Sequence, residues 1–260
     1  MIDLNLFLIA VLLSLAACSI GFKNYIWFIS IGYGLAVAAI GAELLIAGGN
    51  VFACLILLLY GLRLSGYLIY REVKTAYNSR MTGEIKQNKD VPIGGRIGIW
   101  TSSGILYPLM TAAVIFRTAN HAPDDTLMYA GLGISLLGIL LESAADLQKQ
   151  ATKKKNPDRF VNTGLYRIVR CPNYLGELIM WTGIFISGIS VYQGALQWIA
   201  AVIGYLSIVY IMFSGARRLE IRQNKRYGAD EEYKQYHDKV PVLLPLVPLY
   251  SVEKYKWLVG

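Results

Sequence analysis

Histidine, cysteine and charged residues are scarce in this chain, and each shortage excludes a class of protein. Only two histidines, His121 and His237, occur in 260 residues, which excludes the histidine-rich metal sites of membrane desaturases. The three cysteines, at positions 18, 54 and 171, are scattered and have no CxxC spacing, so we expect neither a disulfide framework nor a metal site. No Walker loop, GxGxxG fingerprint or transporter-like repeat is present.

Low charge accompanies a high apolar content. Charged residues make up 16% of the chain and apolar residues 55%, which is typical of a polytopic membrane protein. The sequence therefore predicts an all-α fold, with a single membrane domain over residues 1–260 and a basic cytoplasmic tail over 217–260. Because a span needs about 20 mostly apolar residues, we predict seven transmembrane helices, at roughly 4–21, 24–48, 51–73, 98–116, 127–148, 173–190 and 193–215.

Basic residues are concentrated in alternate loops. Segment 71–97 carries six Lys or Arg, segment 147–172 carries seven, and the chain from Arg217 onward carries nine. The opposite loops contain a single basic residue, Arg117. By the positive-inside rule the N-terminus lies outside and the C-terminus is cytoplasmic. Topology and contact with anionic membrane lipid explain the net charge of +8, so no nucleic-acid partner is expected.

The first span contains a possible processing signal. Residues 15–18, LAAC, look like a lipoprotein cleavage box, but the only charge before the apolar run is Asp3. Because a signal peptide has a positively charged start, we expect this span to be uncleaved. Compact loops and the lack of an evident retention signal favour a bacterial inner membrane over the endoplasmic reticulum.

Ionisable side chains inside the spans are candidates for function, because each is costly in hydrocarbon. Glu43 lies about two turns before the loop that joins spans two and three, and Tyr60 lies about three turns after it. The two side chains are therefore predicted to lie at similar depths. Arg63 and Tyr67 follow Tyr60 on the same helix face. The alternative is a polar pair that links two helices, with an arginine that reaches toward the headgroups.

Span five ends with a polar stripe in the sequence LLESAADLQKQATKKK. Glu142, Asp146, Gln150 and Lys153 recur near every fourth position. Two carboxylates four residues apart repel each other when both are charged. They therefore need a cation, a shared proton or a ligand hydroxyl, unless the stripe is simply a solvated helix end.

The stretch GLYRIVRCPNYLGELIMW, residues 164–181, leads from a basic loop into span six. Pro172 suits the first turn of a helix, and Asn173, Glu177 and Trp181 share one helix face. The positive end of this helix dipole favours phosphate groups. Three arginines lie just upstream, at Arg159, Arg167 and Arg170. The pattern predicts that an anionic ligand binds at the basic mouth, with Glu177 accepting hydrogen bonds; the alternative is a buried Glu–Arg brace.

Residues 158–182 resemble the C-terminal signature of the steroid 5α-reductase family, the 3-oxo-5-alpha-steroid 4-dehydrogenase domain. That signature begins with glycine, an aromatic residue and arginine. The pattern Asn–aromatic–x–Gly–Glu and a tryptophan follow. Residues 60–71, 142–153 and 217–245 are similar more weakly. The resemblance implies NADPH-dependent reduction of the C=C bond of a 3-oxo-Δ4 steroid or a similar lipophilic enone. It also implies a steroid-like substrate that arrives from the bilayer and a cofactor site that faces the cytoplasm. We expect a monomer.

The same resemblance implies roles by position. Glu43 and Tyr60 correspond to the catalytic pair that holds the substrate ketone. The implied cofactor contacts are Arg63, Tyr67, Asp146, Arg159, Asn173, Glu177 and Arg218. From its place at the basic mouth, Arg170 is also expected to bind the cofactor phosphates. Three further expected cofactor contacts depart from the animal enzymes. They are Glu142 in place of asparagine, Lys153 in place of arginine and Arg222 in place of histidine.

Two other functions stay open. Isoprenylcysteine carboxyl methyltransferases share the pattern Gly-x-Tyr-x-x-x-Arg-x-Pro-x-Tyr and use S-adenosylmethionine. Their motif usually has histidine where this chain has Cys171, and it lacks the Asn173/Glu177 pair. The second alternative is a non-enzymatic lipid-binding or sterol-sensing membrane protein, in which Glu43, Tyr60 and Arg63 would have no chemistry to perform.

Overall fold

Helices form all the regular structure in residues 4–73 and 91–259, which are the residues that the computed structural model describes. Short 3₁₀ turns occur at Ser19–Phe22, Tyr25–Ile29 and Gly164–Arg167. The predicted basic segment 71–97 lies in part, over residues 74–90, outside the described residues. The helices are α1 (Leu4–Cys18), α2 (Ile31–Ile46), α3 (Val51–Val73), α4 (Ile93–Met110), α5 (Ala112–Ala119), α6 (Thr126–Lys155), α7 (Pro172–Gly188), α8 (Gly194–Tyr227) and α9 (Glu231–Lys239).

Several of these helices are long and apolar enough to cross a membrane. Within the described ranges there are five such stretches, or six if α4 and α5 count as one bent span. They are Asn5–Phe22, Tyr25–Ile46, Val51–Glu72, Thr126–Lys155 and Gly194–Tyr227. The prediction of an all-α, polytopic membrane protein is therefore confirmed, with five or six candidate spans. The count of seven spans stays a prediction, because α7 has 17 residues, at the short end of what crosses a bilayer. The orientation of the spans also stays a prediction.

The predicted fourth span, 98–116, differs from the structure, because it is a bent pair of helices. The axes of α4 and α5 differ by 59°. Pro108 lies one turn before the break, where it lacks an N–H for the helix. The Thr111 hydroxyl donates hydrogen bonds to the carbonyls of Tyr107 and Pro108, at 3.0 and 3.2 Å. Proline and back-bonding threonine both bend helices.

The chain divides into two compact units, which we describe separately. Unit 1 comprises Met1–Leu132 and Ile184–Tyr205, and unit 2 comprises Gly133–Gly183 and Leu206–Gly260. Whether residues 1–260 act as one membrane domain with a tail stays a prediction. The 217–260 region contains the last turns of α8 and all of α9.

Small residues let α2 and α3 approach closely in unit 1. A Cβ atom on Gly61 would lie 2.3 Å from the Gly34 carbonyl oxygen and 2.5 Å from the Ala38 nitrogen. A Cβ atom on Gly41 would lie 2.9 Å from the Leu58 nitrogen. Such small-residue contacts are typical of membrane helices. They fix the register, since Ala38 faces Gly61 and Gly41 faces Leu58.

Buried Arg117 connects two loops at one end of unit 1. Its guanidinium donates to the carbonyls of Pro123 and Ser187, at 2.7 and 2.8 Å, and to the Asp125 carboxylate at 2.9 Å. The Ser190 hydroxyl donates to the same carboxylate at 2.6 Å. The Arg117 side chain is only 3% exposed, and these contacts give its terminal nitrogens the partners that a buried cation requires.

This network predicts acid-sensitive stability. Burial acts to raise the pKa of Asp125, but hydrogen bonds from Ser190 and the Met128 amide, together with the Arg117 charge, outweigh it and lower the pKa to about 2. A carboxyl with a depressed pKa stabilises the fold above its ordinary value of about 4, and that contribution is lost as the pH falls from about 4 to about 2. We expect Asp125→Asn to flatten this part of a thermal-midpoint-versus-pH curve. Equal acid sensitivity in the variant would contradict the assignment.

Candidate functional site

A buried cluster of tyrosines lies between α2, α3 and α4 in unit 1. The hydroxyl groups of Tyr33 and Tyr60 are 3.1 Å apart, and Tyr60 is fully buried. The Tyr33 ring stacks on the Tyr107 ring at 4.9 Å, and the Tyr107 hydroxyl donates to the Phe28 carbonyl at 3.1 Å. Tyr33 is the hydrogen-bond partner of Tyr60 that the sequence analysis missed. A phenol held in this way can donate a hydrogen bond to a ligand oxygen.

Glu43 lies on α2 beyond this cluster. The α2–α3 register places Glu43 at the same depth as residue 56, which is four residues, or about 6 Å along the helix axis, from Tyr60. The predicted similarity in depth therefore holds only to about one helical turn. Both carboxyl oxygens of Glu43 are shielded from solvent and receive no hydrogen bond from any residue in the described ranges. Burial without a hydrogen-bond partner is costly, so a ligand donor or acceptor suits this position.

The two other predicted residues of unit 1 continue the polar face of α3. The Arg63 guanidinium lies 5.8 Å from the centre of the Tyr60 ring. One turn further on, the Arg71 guanidinium lies 5.8 Å from the Tyr67 ring. Tyr60, Arg63 and Tyr67 thus form the single face that their spacing predicts.

Unit 2 brings together the two polar patterns on α6 and α7. A Cβ atom on Gly176 would lie 2.5 Å from the Glu142 nitrogen, and one on Gly138 would lie 2.3 Å from the Met180 nitrogen. This register places Glu142 and Asp146 of α6 beside the part of α7 that carries Asn173 and Glu177. All three carboxylates are buried. The side-chain amide oxygen of Asn173, Oδ1, is also buried and accepts no hydrogen bond from the described part of the chain.

The close contact of α6 and α7 predicts a strong effect of one methyl group. Gly176→Ala would force its Cβ against the Glu142 backbone, and overpacking of this kind costs about 1–3 kcal/mol. We expect a lower thermal midpoint for this variant. Gly133→Ala on α6 is the matched control, since a Cβ there meets no atom within 4 Å. Equal midpoints for both variants would show that the contact is looser than described.

The basic loop at the start of residues 164–181 packs against the C-terminal part of α6. Gly164 has φ +60, a conformation that favours glycine, and it allows the Leu165 amide to donate to the Gln148 side chain at 2.9 Å. The Tyr166 hydroxyl donates to the Ala145 carbonyl at 3.3 Å. This packing places the loop beside the α6 turn that carries Asp146.

Arg170, an expected phosphate contact, forms a buried ion pair with Glu220. Its guanidinium is only 2% exposed and donates to Glu220 at 2.9 Å and to the Tyr250 carbonyl. Glu220 also accepts from the Val252 amide at 2.8 Å and lies 2.8 Å from the His237 ring. Arg170 therefore links the start of α7 to α8 and to the chain near Val252. Its binding of phosphate stays a prediction. Sequence spacing gives no signal for this pair, because fifty residues separate its members.

The other predicted basic residues of unit 2 are more accessible. Arg159, Arg218 and Arg222 are exposed, and Arg159 pairs with Glu232. The Lys153 ammonium group donates to the Tyr227 hydroxyl at 3.1 Å. Exposed guanidinium groups suit the binding of phosphate. Of the predicted site residues, four lie in unit 1 and nine lie in unit 2.

Comparison with known proteins identifies the family of the chain. A family model described as "Protein of unknown function (DUF1295)" matches residues 12–240. Neither a curated protein nor a solved structure matches the chain. Within residues 4–73 and 91–259, no group of three or more His, Cys, Asp or Glu side chains could hold a metal ion.

Proposed function

Since the chain belongs to the DUF1295 family, whose function is unknown, we propose an activity from its own residues. We propose that it is a membrane reductase that uses NADPH to reduce the C=C bond of a 3-oxo-Δ4 steroid or a similar lipophilic enone. The resemblance of residues 158–182 to steroid 5α-reductases motivates this proposal. The observation that carries it is the fully buried Tyr60 side chain, whose hydroxyl pairs with Tyr33, while the shielded carboxyl of Glu43 belongs to a residue about one helical turn away in depth.

The residues of unit 1 suit the ketone of an enone. As the C=C bond accepts a hydride at its β-carbon, negative charge develops on the ketone oxygen. Hydrogen-bond donors in a site without water stabilise such an oxyanion strongly. The Tyr60 hydroxyl and the acid form of Glu43 would supply these donors. A proton then adds to the α-carbon and completes the reduction.

The residues of unit 2 fit a dinucleotide. Buried Glu142, Asp146 and Glu177 can accept hydrogen bonds from ribose hydroxyl or amide groups, and the shielded Asn173 oxygen lacks a donor in the described ranges. Exposed basic residues can bind phosphates, including the 2′-phosphate that distinguishes NADPH from NADH. These residues are Arg159, Arg218 and Arg222, together with the half-buried Lys153. When bound, NADPH supplies the hydride. Arg63 and Tyr67 stay predicted cofactor contacts on the resemblance alone.

The proposal includes a topology. The seven-span arrangement has its N-terminus outside and its basic loops in the cytoplasm, where NADPH is found. The lipophilic substrate enters from the bilayer, and the protein acts as a monomer in a bacterial inner membrane. The loop charges support this orientation.

Direct cofactor binding tests the assignment of unit 2. We expect the purified protein to bind NADPH more tightly than NADH, as measured by nicotinamide fluorescence at one ionic strength. Glu177→Ala removes a charged hydrogen-bond acceptor, which corresponds to about a tenfold or larger rise in the NADPH Kd. Ser143→Ala, beside Glu142 on α6, is the control that should bind normally. Normal binding by Glu177→Ala together with a lower thermal midpoint would favour a structural brace, and binding of S-adenosylmethionine in place of NADPH would favour a methyltransferase.

A further inference from the structure

Residues 253–259 lie along the last part of α8 in unit 2. The Arg217 guanidinium donates to the Glu253 carbonyl at 3.0 Å. Further along, the Tyr210 hydroxyl donates to the Trp257 carbonyl at 2.9 Å and accepts from the Val259 amide at 3.2 Å. The Arg217 guanidinium also donates to the Leu258 carbonyl at 3.2 Å. The segment therefore lies against α8 between Arg217 and Tyr210, two residues about 10 Å apart along the helix axis.

This path leads toward the apolar part of α8. The helix has 34 residues and is therefore about 51 Å long, whereas the hydrocarbon core of a bilayer is about 30 Å thick. No charged residue occurs in α8 before Arg217, so Tyr210 lies within the apolar part. The residues that contact Tyr210 are thus placed at the boundary between headgroups and hydrocarbon, and not in the aqueous phase.

The side chains of the segment suit this boundary. Leu258 is 2% exposed and packs inward, whereas Trp257 and Val259 are 66% and 75% exposed. The Trp257 ring lies 6.2 Å from the Tyr210 ring. Lys254 and Lys256 are exposed on the same short segment. Tryptophan is enriched at membrane interfaces, and lysine near the surface is attracted to anionic headgroups.

We propose that residues 253–259 form a lipid-binding surface, which we call the 253–259 surface. Trp257 and Val259 enter the headgroup boundary, and Lys254 and Lys256 bind the phosphates of anionic phospholipids. The surface differs from the proposed catalytic residues and does not depend on the proposed activity. It also gives part of the predicted cytoplasmic tail a place at the membrane.

The depth of Trp257 is the first test. Its emission is obtained as the difference between the wild-type protein and Trp257→Phe, both reconstituted in phosphatidylcholine nanodiscs. We expect phosphatidylcholine brominated near the headgroup to quench more than half of this emission, and aqueous iodide to quench little of it. Strong quenching by iodide without quenching by bromine would overturn the proposal.

The charge of the lipid is the second test. Short-chain phosphatidylglycerol is titrated into the full-length protein in detergent, and the thermal midpoint is recorded. Each lysine near an anionic surface contributes about a sixfold gain in affinity, so Lys254→Glu/Lys256→Glu should weaken binding by about 30-fold or more. The control Lys225→Glu/Lys239→Glu changes two exposed lysines outside the surface. Equal affinity in both double variants, or an equal response to inorganic phosphate, would overturn lipid binding by this surface.

Discussion

We expect Tyr60→Phe to lower kcat for enone reduction by about 10²–10³-fold, because it removes one donor to the developing oxyanion and keeps the ring. NADPH affinity should stay unchanged. The measurement is steady-state turnover in detergent with a 3-oxo-Δ4 steroid, together with an NADPH titration. Near-wild-type turnover with intact NADPH affinity would remove Tyr60 from the catalytic pair.

The hydrogen bond between Tyr33 and Tyr60 provides a matched control. Tyr33→Phe removes the partner of Tyr60 but leaves the Tyr60 hydroxyl in place, so we expect a smaller loss of turnover. Glu43→Gln retains a hydrogen-bond donor but loses the carboxylic acid. The effects of groups that act together are non-additive. We therefore expect the turnover of the double variant Glu43→Gln/Tyr60→Phe to be little lower than that of the poorer single variant. A fully additive loss would indicate that the two residues act independently.

The second large effect is expected on stability. Arg170→Met leaves the buried Glu220 carboxylate without its arginine, and breaking a buried ion pair costs about 3–5 kcal/mol. The thermal midpoint should fall sharply, or the yield of folded protein should collapse. Arg167→Met is the control, because Arg167 lies three residues earlier and is exposed.

The same variant separates bracing from phosphate binding. If Arg170 acts as a brace, the Arg170→Met protein that remains folded should bind NADPH with nearly wild-type affinity. A large loss of NADPH affinity at an unchanged thermal midpoint would show instead that Arg170 contacts the cofactor.

Apolar length predicts the helices better than it predicts their ends. The span expected at 51–73 coincides with the described bounds of α3, Val51–Val73. The span expected at 24–48 is interrupted at Ser30, where a 3₁₀ turn precedes α2. Hydropathy averages over such a break. The last span was expected to end at 215, but α8 continues to Tyr227, since charge ends a membrane span and not a helix.

The candidate site shows the same division between local and distant information. Helical spacing predicts that Tyr60, Arg63 and Tyr67 share a face. It cannot identify Tyr33 as the partner of Tyr60, because that contact depends on the glycine-mediated register of α2 and α3. Nor can it show that Arg170 is paired with Glu220, since such a pairing depends on how the chain after α8 returns to the start of α7.

The most direct test of the proposed activity is loss of the enone absorbance of a 3-oxo-Δ4 steroid in the presence of the purified protein and NADPH. We expect one NADPH to be oxidised for each C=C bond reduced, with slower turnover on NADH and almost none with Tyr60→Phe. A folded wild-type protein that binds NADPH but leaves the enone unchanged would contradict the proposed substrate. Failure to bind NADPH at all would contradict the reductase assignment itself.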